Sequence, residues 1–300
     1  MSKKQREILQ QIGLQVFLLL VVTVSVLFPI MWVVTLALDP RNIDKPLELR
    51  LIPPGASLDA FRRVMIEPFG LLCKNPSDPT SCMTFIQLLK NSLIVALGTS
   101  LIAVFLGASA AYAFSRFRFI GRQAGMLGFI VLLMLPSTAT LAPLFVLLSQ
   151  IKVGSEALRL TLPGLMLAYG SGALPFAVWN LKGYFDTVPQ ELEEAARIDG
   201  ASVAQTFFRI ILPLSVPALA VTVLFSFMTG WTEFVLAWTF LEDPSRFTLA
   251  MALRSMQGQF ATPWSDFAAM SILMSIPIVV LFFLLQRYLV SGLTVGGVKG

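Results

Sequence analysis

The chain alternates long apolar runs with short polar links. Apolar runs cover residues 14–38, 92–114, 124–148, 162–181, 214–241 and 267–285. Each is close to or above the ~20 residues that an α-helix needs to cross ~30 Å of hydrocarbon. The pattern predicts an all-α integral membrane protein with six transmembrane helices. No small-residue cleavage site follows the first run, so it reads as a retained helix and not as a signal peptide. Residues 39–91 are the longest polar interruption, with Ser57 placed to cap a short helix through Ile66. Pro136 and Pro143 fall inside the third run, and Pro163, Gly170, Gly172 and Pro175 inside the fourth.

The fourth and fifth runs are separated by a charged island, residues 186–213. It carries Asp186, Glu191, Glu193, Glu194 and Asp199 against Arg197 in its first half. A charge at the bilayer centre costs at least about 2.5–3.5 kcal/mol on the most lenient scale. The island must therefore lie in water beside the membrane. Thr187 with Gln190, and Ser202 with Gln205, have the spacing of capping boxes. Asp199-Gly200 stands between them, where a helix would end on glycine. Two short helices over 188–198 and 203–211 are predicted. Leu192, Ala195 and Ala196 cluster on the first, and Val203, Phe207 and Ile210 form a stripe on the second. Helices that short need a surface to pack on. The small residues Ala195, Ala196 and Gly200 suit close approach to a partner groove, although an ordinary capped loop between spans has the same outline.

Composition narrows the chemistry. Of 300 residues 56% are hydrophobic, and histidine is absent. The absence removes His-based triads and most zinc sites. There is no GxxxxGK[ST] phosphate loop, so ATP hydrolysis would have to come from another chain. Cys73 and Cys82 flank a turn-rich stretch of the 39–91 loop. They either close a small loop in an oxidising compartment, worth about 2–3 kcal/mol, or stay as two thiols. Glu233 is the acid that falls inside an apolar run, and is either functional or structurally paired.

Charge distribution sets orientation. With the N-terminus in the cytoplasm, the inside segments hold Lys3, Lys4, Arg6, Arg116, Arg118, Arg122, Lys182, Arg197, Arg209, Arg287 and Lys299. The short outside links hold Lys152, Arg159, Arg246 and Arg254. Short loops with an excess of Lys and Arg stay inside. The chain then divides into a cytoplasmic segment 1–13, a first span 14–38, an extracytoplasmic loop 39–91, a five-span core 92–291 containing the 186–213 island, and a cytoplasmic tail 292–300. An acidic cytoplasmic knob is repelled by anionic headgroups and by nucleic-acid phosphates, which leaves a protein as its partner.

The island resembles the EAA loop of membrane subunits of type I ABC importers. Glu194-Ala195-Ala196, Asp199-Gly200-Ala201 and Ile210-Ile211-Leu212-Pro213 match that loop in order and spacing. Asn91-Ser92, Ala110-Ala111-Tyr112-Ala113, Arg116, Gly121-Arg122, Leu174-Pro175-Phe176, Trp179, Trp231-x-Glu233-Phe234 and Gln286-Arg287-Tyr288 resemble other positions of sugar-type permeases. The ending 292–300 is similar to the smaller membrane subunit of maltose/maltodextrin-type importers. Thr232 stands where the family often has Asn, and the Cys73–Cys82 segment has no counterpart in the pattern.

The resemblance implies a permease subunit in a bacterial or archaeal cell membrane, and not an enzyme by itself. It implies a second related permease, two cytoplasmic ATPase subunits that bind ATP and Mg, and an extracytoplasmic sugar-binding protein. Glu194, Ala195, Ala196, Asp199, Gly200, Ala201 and Pro213 would carry ATPase motion into the membrane. Gly292, Thr294, Gly296, Gly297 and Lys299 of the tail would reach between the ATPases. No sugar-contacting residue is assigned, because in maltose-type systems such contacts fall mainly on the other membrane subunit. A self-sufficient secondary transporter would want paired inverted repeats and several intramembrane ionisable groups; an intramembrane hydrolase would want a histidine or a paired aspartate. Neither pattern is present.

Overall fold

The structure, a computed structural model, describes residues 3–42, 52–75, 77–78, 81–258 and 262–296, and within these it is overwhelmingly helical. Among the described residues, four helices are long and apolar enough to cross a membrane: residues 11–37 of α1 (Lys3–Ala37), α3 (Phe85–Arg116), α6 (Leu162–Phe185) and residues 264–289 of α13 (Trp264–Gly296). Two bent pairs raise the candidates to six by length and composition.

One bend lies inside a run that the sequence predicts as an unbroken span, and the other lies at the junction of the island with the fifth run. The third run is divided into α4 (Arg122–Met134) and α5 (Leu141–Gln150), joined by a 3₁₀ turn at Ser137–Thr140 and bent by 105°. Pro136 lies in the joint and precedes the turn. Its missing N–H removes a helical hydrogen bond, and its ring forces the preceding residue out of the helical region. The fifth run begins at α10 (Val216–Thr232), which meets the helical segment Val203–Leu214 at 80°. It is then broken at Glu233, whose extended backbone separates α10 from α11 (Val235–Phe240).

Contacts divide the chain into two units. The first comprises 1–67 and 255–275. Within it, α1 is exposed on every face over residues 11–31 despite being apolar all round, the signature of a helix that faces lipid or another subunit. The short helix α2 (Asp59–Ile66) starts two residues beyond Ser57, whose Oγ accepts from the Asp59 N–H. Arg63 donates twice to the Asp266 carboxylate, which also accepts from Asn42.

The second unit, 68–254 and 276–300, holds the main core. α3 lies against α6 and α10 along much of its length. Small residues permit the approach. A Cβ on Gly107 would lie 2.7 Å from the Ala177 Cβ, and one on Gly230 would lie 2.9 Å from the Ala96 Cα. Without a hydrophobic drive between helices in lipid, such close backbone contact and interhelical hydrogen bonds hold a membrane bundle. Asn180 supplies one of these, donating to the Thr222 hydroxyl and the Ala218 carbonyl of α10.

Among the described residues, two small hairpins depart from an all-α chain. β1 (Phe69–Cys73) pairs with β2 (Cys82–Met83), and a disulfide joins Cys73 to Cys82. β3 (Lys152–Val153) pairs with β4 (Glu156–Ala157). At the other end of the chain α13 continues in helical conformation to Gly296, so Gly292, Thr294 and Gly296 lie on helical backbone. Gly297 and Lys299 lie outside the described residues.

Candidate functional site: the clamped helical island

The island is built from four short elements. α7 (Glu191–Ile198) is followed by α8 (Val203–Thr206), a π-helical turn at Phe207–Ile211 and a last turn α9 (Leu212–Leu214). The Ser202–Gln205 capping box is present: the Ser202 hydroxyl accepts from the Gln205 N–H, and the Gln205 side chain accepts from the Ser202 N–H. The predicted Thr187–Gln190 box is not formed. The backbone at the end of α6 keeps turning, and both the Thr187 N–H and its hydroxyl donate to the Tyr184 carbonyl. α7 therefore starts at Glu191 and not at 188.

α7 ends in a Schellman motif. The Ala201 N–H donates to the Ala196 carbonyl at 2.9 Å, and the Gly200 N–H to the Arg197 carbonyl at 3.0 Å. Gly200 sits at φ +82°, where a side chain is strained, yet a Cβ there would meet nothing within 4 Å. Within this chain the glycine is required by conformation and not by volume.

The inner face of α7 corrects the predicted pattern. Glu193 and Ala196 are buried, while Leu192, Glu194, Ala195 and Ile198 face outward. On the next segment Phe207 and Ile211 are buried, Ile210 is partly buried and Val203 is exposed. A π-turn lies on this segment: the Leu212 N–H donates five residues back to the Phe207 carbonyl. Pro213, exposed in the following turn, supplies no N–H of its own.

Glu193 is only 2% exposed. Its carboxylate accepts from the Arg116 guanidinium and, at 2.8 Å, from the Tyr112 hydroxyl. Tyr112 and Arg116 lie one turn apart at the end of α3. Arg116 also donates to the Val188 carbonyl at 2.9 Å and to the Ser115 hydroxyl at 3.0 Å. Ser115 in turn donates to Asp186 at 2.6 Å, and the other Asp186 oxygen accepts from Lys182 at 2.5 Å. The network ties the end of α3, the end of α6 and the face of α7 into one polar clamp. Beneath it, Tyr112, Phe185, Val188, Phe207, Ile211 and Ala218 pack as an apolar cluster, with the Tyr112 and Phe207 rings 4.8 Å apart. A buried ion pair is tolerated only when further hydrogen bonds satisfy both groups; here they do.

Glu193 was not singled out by sequence. A signal was available: Tyr112 and Arg116 share one face at the end of an apolar helix with no acid nearby in sequence, an arrangement suited to a distant carboxylate. Glu194, Asp199 and Ala195, which carry the sequence likeness, are exposed, and Ala201 is partly so. Glu233 lies elsewhere. Its carboxylate accepts from the N–H groups of Val235 at 2.7 Å and Leu236 at 3.1 Å, so it caps α11 across the break in the fifth run.

The family model described as "Binding-protein-dependent transport system inner membrane component" matches residues 81–295, which include the clamp and the whole island. The chain belongs to this family. It is a type I ABC importer permease. Among its relatives, the maltose/maltodextrin transport system permease protein MalG of Yersinia pestis is 36% identical over 95% of this chain and 92% of its own length. The maltodextrin permease MdxG of Bacillus subtilis is 41% identical over 70% and 74%. The galactooligosaccharides permease GanQ of the same organism is 34% identical over 94% of each. A crystal structure of a bacterial ABC transporter that imports the acidic polysaccharide alginate contains a chain with the same fold, at TM-score 0.74 and 19% identity over 96% of this permease and 98% of that chain.

Proposed function

We propose that this permease moves an oligosaccharide of the maltodextrin or galactooligosaccharide kind through a bacterial inner membrane, and that its island receives the ATPase stroke. On this reading six spans place both termini and the 186–213 island in the cytoplasm. A second, related permease completes the pathway. Two ATPase subunits bind ATP and Mg, and an extracytoplasmic binding protein delivers the sugar. The tail positions Gly292, Thr294, Gly296, Gly297 and Lys299 extend toward the ATPases.

The observation that carries the reading is the clamp. A lever needs an outward face for its partner and a rigid root. α7 offers Leu192, Ala195 and Ile198 outward, with Ile198 87% exposed, beside the carboxylate of Glu194. Its inward face is rooted through Glu193 on α3 and, through Ser115 and Asp186, on α6. A push on the outer face therefore reaches two apolar helices at once. The disulfide supports the orientation, since such bonds persist in oxidising compartments and Cys73–Cys82 falls in the loop assigned to the outside. A secondary transporter finds less support, because Glu233 is engaged by backbone N–H groups.

The test is a cysteine at Ala195, in the importer assembled with its partners and with Cys73 and Cys82 left in place. Crosslinking to the ATPase subunit is expected, with a yield that changes on ATP binding. Crosslinking to the binding protein instead, or none to the ATPase, would overturn both the orientation and the role.

A further inference from the structure

A groove bordering the clamp runs between the first turns of α4 and the last turns of α6. It consists of two adjoining cavities of about 580 and 440 Å³ that share Met126 and Lys182. The cavity linings include two cations, Arg122 and Lys182, and no acid; Lys182 is paired with Asp186 of the clamp at 2.5 Å, which leaves Arg122 as the cation to consider. Arg122 is held at its base, where its guanidinium donates to the Phe114 and Ser115 carbonyls at 2.7 and 3.3 Å. Among the described residues no carboxylate stands within ion-pairing distance of it. Carbonyls at a helix end orient the group without neutralising it. The N-terminal end of α4 adds partial positive charge at the same place. Away from the cations the groove turns apolar along Met126, Leu127 and Ile130, with half-exposed Trp179 on the facing helix.

We infer that this groove binds the headgroup of an anionic phospholipid, with the phosphate at Arg122, Lys182 being already paired with Asp186, and an acyl chain along Leu127, Ile130 and Trp179. The polarity gradient selects this occupant. Charge sits at the polar end of two apolar helices, and the apolar wall runs toward the membrane interior. Trp at that level matches the interfacial preference of indole. Basic pockets between membrane helices on the cytoplasmic side hold such headgroups. An acidic peptide would satisfy the cation but not the apolar wall. The inference rests on the membrane orientation proposed above, and is independent of ATPase docking.

The probe is Trp179 fluorescence in the whole importer, reconstituted with brominated phosphatidylglycerol or brominated phosphatidylcholine and read against Trp179→Phe. Quenching of Trp179 by both lipids is expected, with phosphatidylglycerol effective at roughly fivefold lower mole fraction, as for one cation's attraction to an anionic headgroup. Arg122→Gln should abolish that preference and Arg122→Lys should retain it, which separates charge from any loss of folding. Equal quenching by the two lipids, or a preference that survives Arg122→Gln, would overturn the inference. So would a preference erased by inorganic phosphate, which would mark a phosphate-ion site. If neither lipid quenches Trp179, a protein surface covers the groove; the inference then fails while the Ala195 crosslink remains a separate test of the ATPase role.

Discussion

Replacing Arg116 by methionine is the sharpest test of the clamp. The side chain keeps its apolar stem and loses its charge. Glu193 would then be left with the Tyr112 hydroxyl alone, at 2% exposure. Breaking a buried pair by removing one partner costs about 3–5 kcal/mol, since the remaining charge is uncompensated. The rest of the inner face of α7 is Ala196, a single methyl group, so α7 has little else to hold it down. At about 1.4 kcal/mol per decade, a loss of 3 kcal/mol raises the opening of α7 by roughly 150-fold. Hydrogen exchange of the 191–198 amides in the assembled importer measures this directly. The expected result is faster exchange confined to the island, normal membrane insertion, and ATPase activity no longer stimulated by the loaded binding protein. Arg116→Met combined with Glu193→Gln should recover most of the protection, because no lone charge remains buried. A double variant as labile as the sum of the two single ones would refute the argument, as would normal exchange in Arg116→Met.

Gly200→Asn should couple better than Gly200→Val in an uptake assay, because the left-handed backbone at φ +82° tolerates asparagine and strains a branched side chain; equal loss in both would point to a volume limit set by a partner. Glu233→Ala should lower the thermal midpoint of the importer through loss of an N-terminal cap worth about 1 kcal/mol, while Glu233→Asn retains much of it; transport loss without any stability loss would assign Glu233 to the pathway instead. Gly164→Ala should be the most damaging glycine-to-alanine change among α6 positions, since a Cβ would lie 1.9 Å from the Leu158 carbonyl oxygen, and detergent-extracted yield reports it. Cys73→Ser with Cys82→Ser should loosen the 69–83 hairpin by about 2–3 kcal/mol, seen as faster local exchange with uptake retained.

Much of the fold was set by properties that act locally. Length and apolarity mark membrane helices wherever they sit, so the apolar runs could be read along the chain, four of them as single long helices among the described residues. The Ser202–Gln205 box and the helix end at Asp199-Gly200 were equally legible, since each needs only residues a few positions apart. Breaks were less so. Pro136 could have been a kink within one helix, and only packing turns it into a 105° bend. Thr187–Gln190 has the spacing of a cap, but its donors are drawn off by the carbonyl at the end of α6. The face of α7 was legible from apolar periodicity only at Ala196, because the other buried residue is a glutamate. That burial depends on Arg116 and Tyr112, 77 and 81 residues away. A charge stays out of water only where tertiary structure supplies its partner, and such a pairing has no local signature.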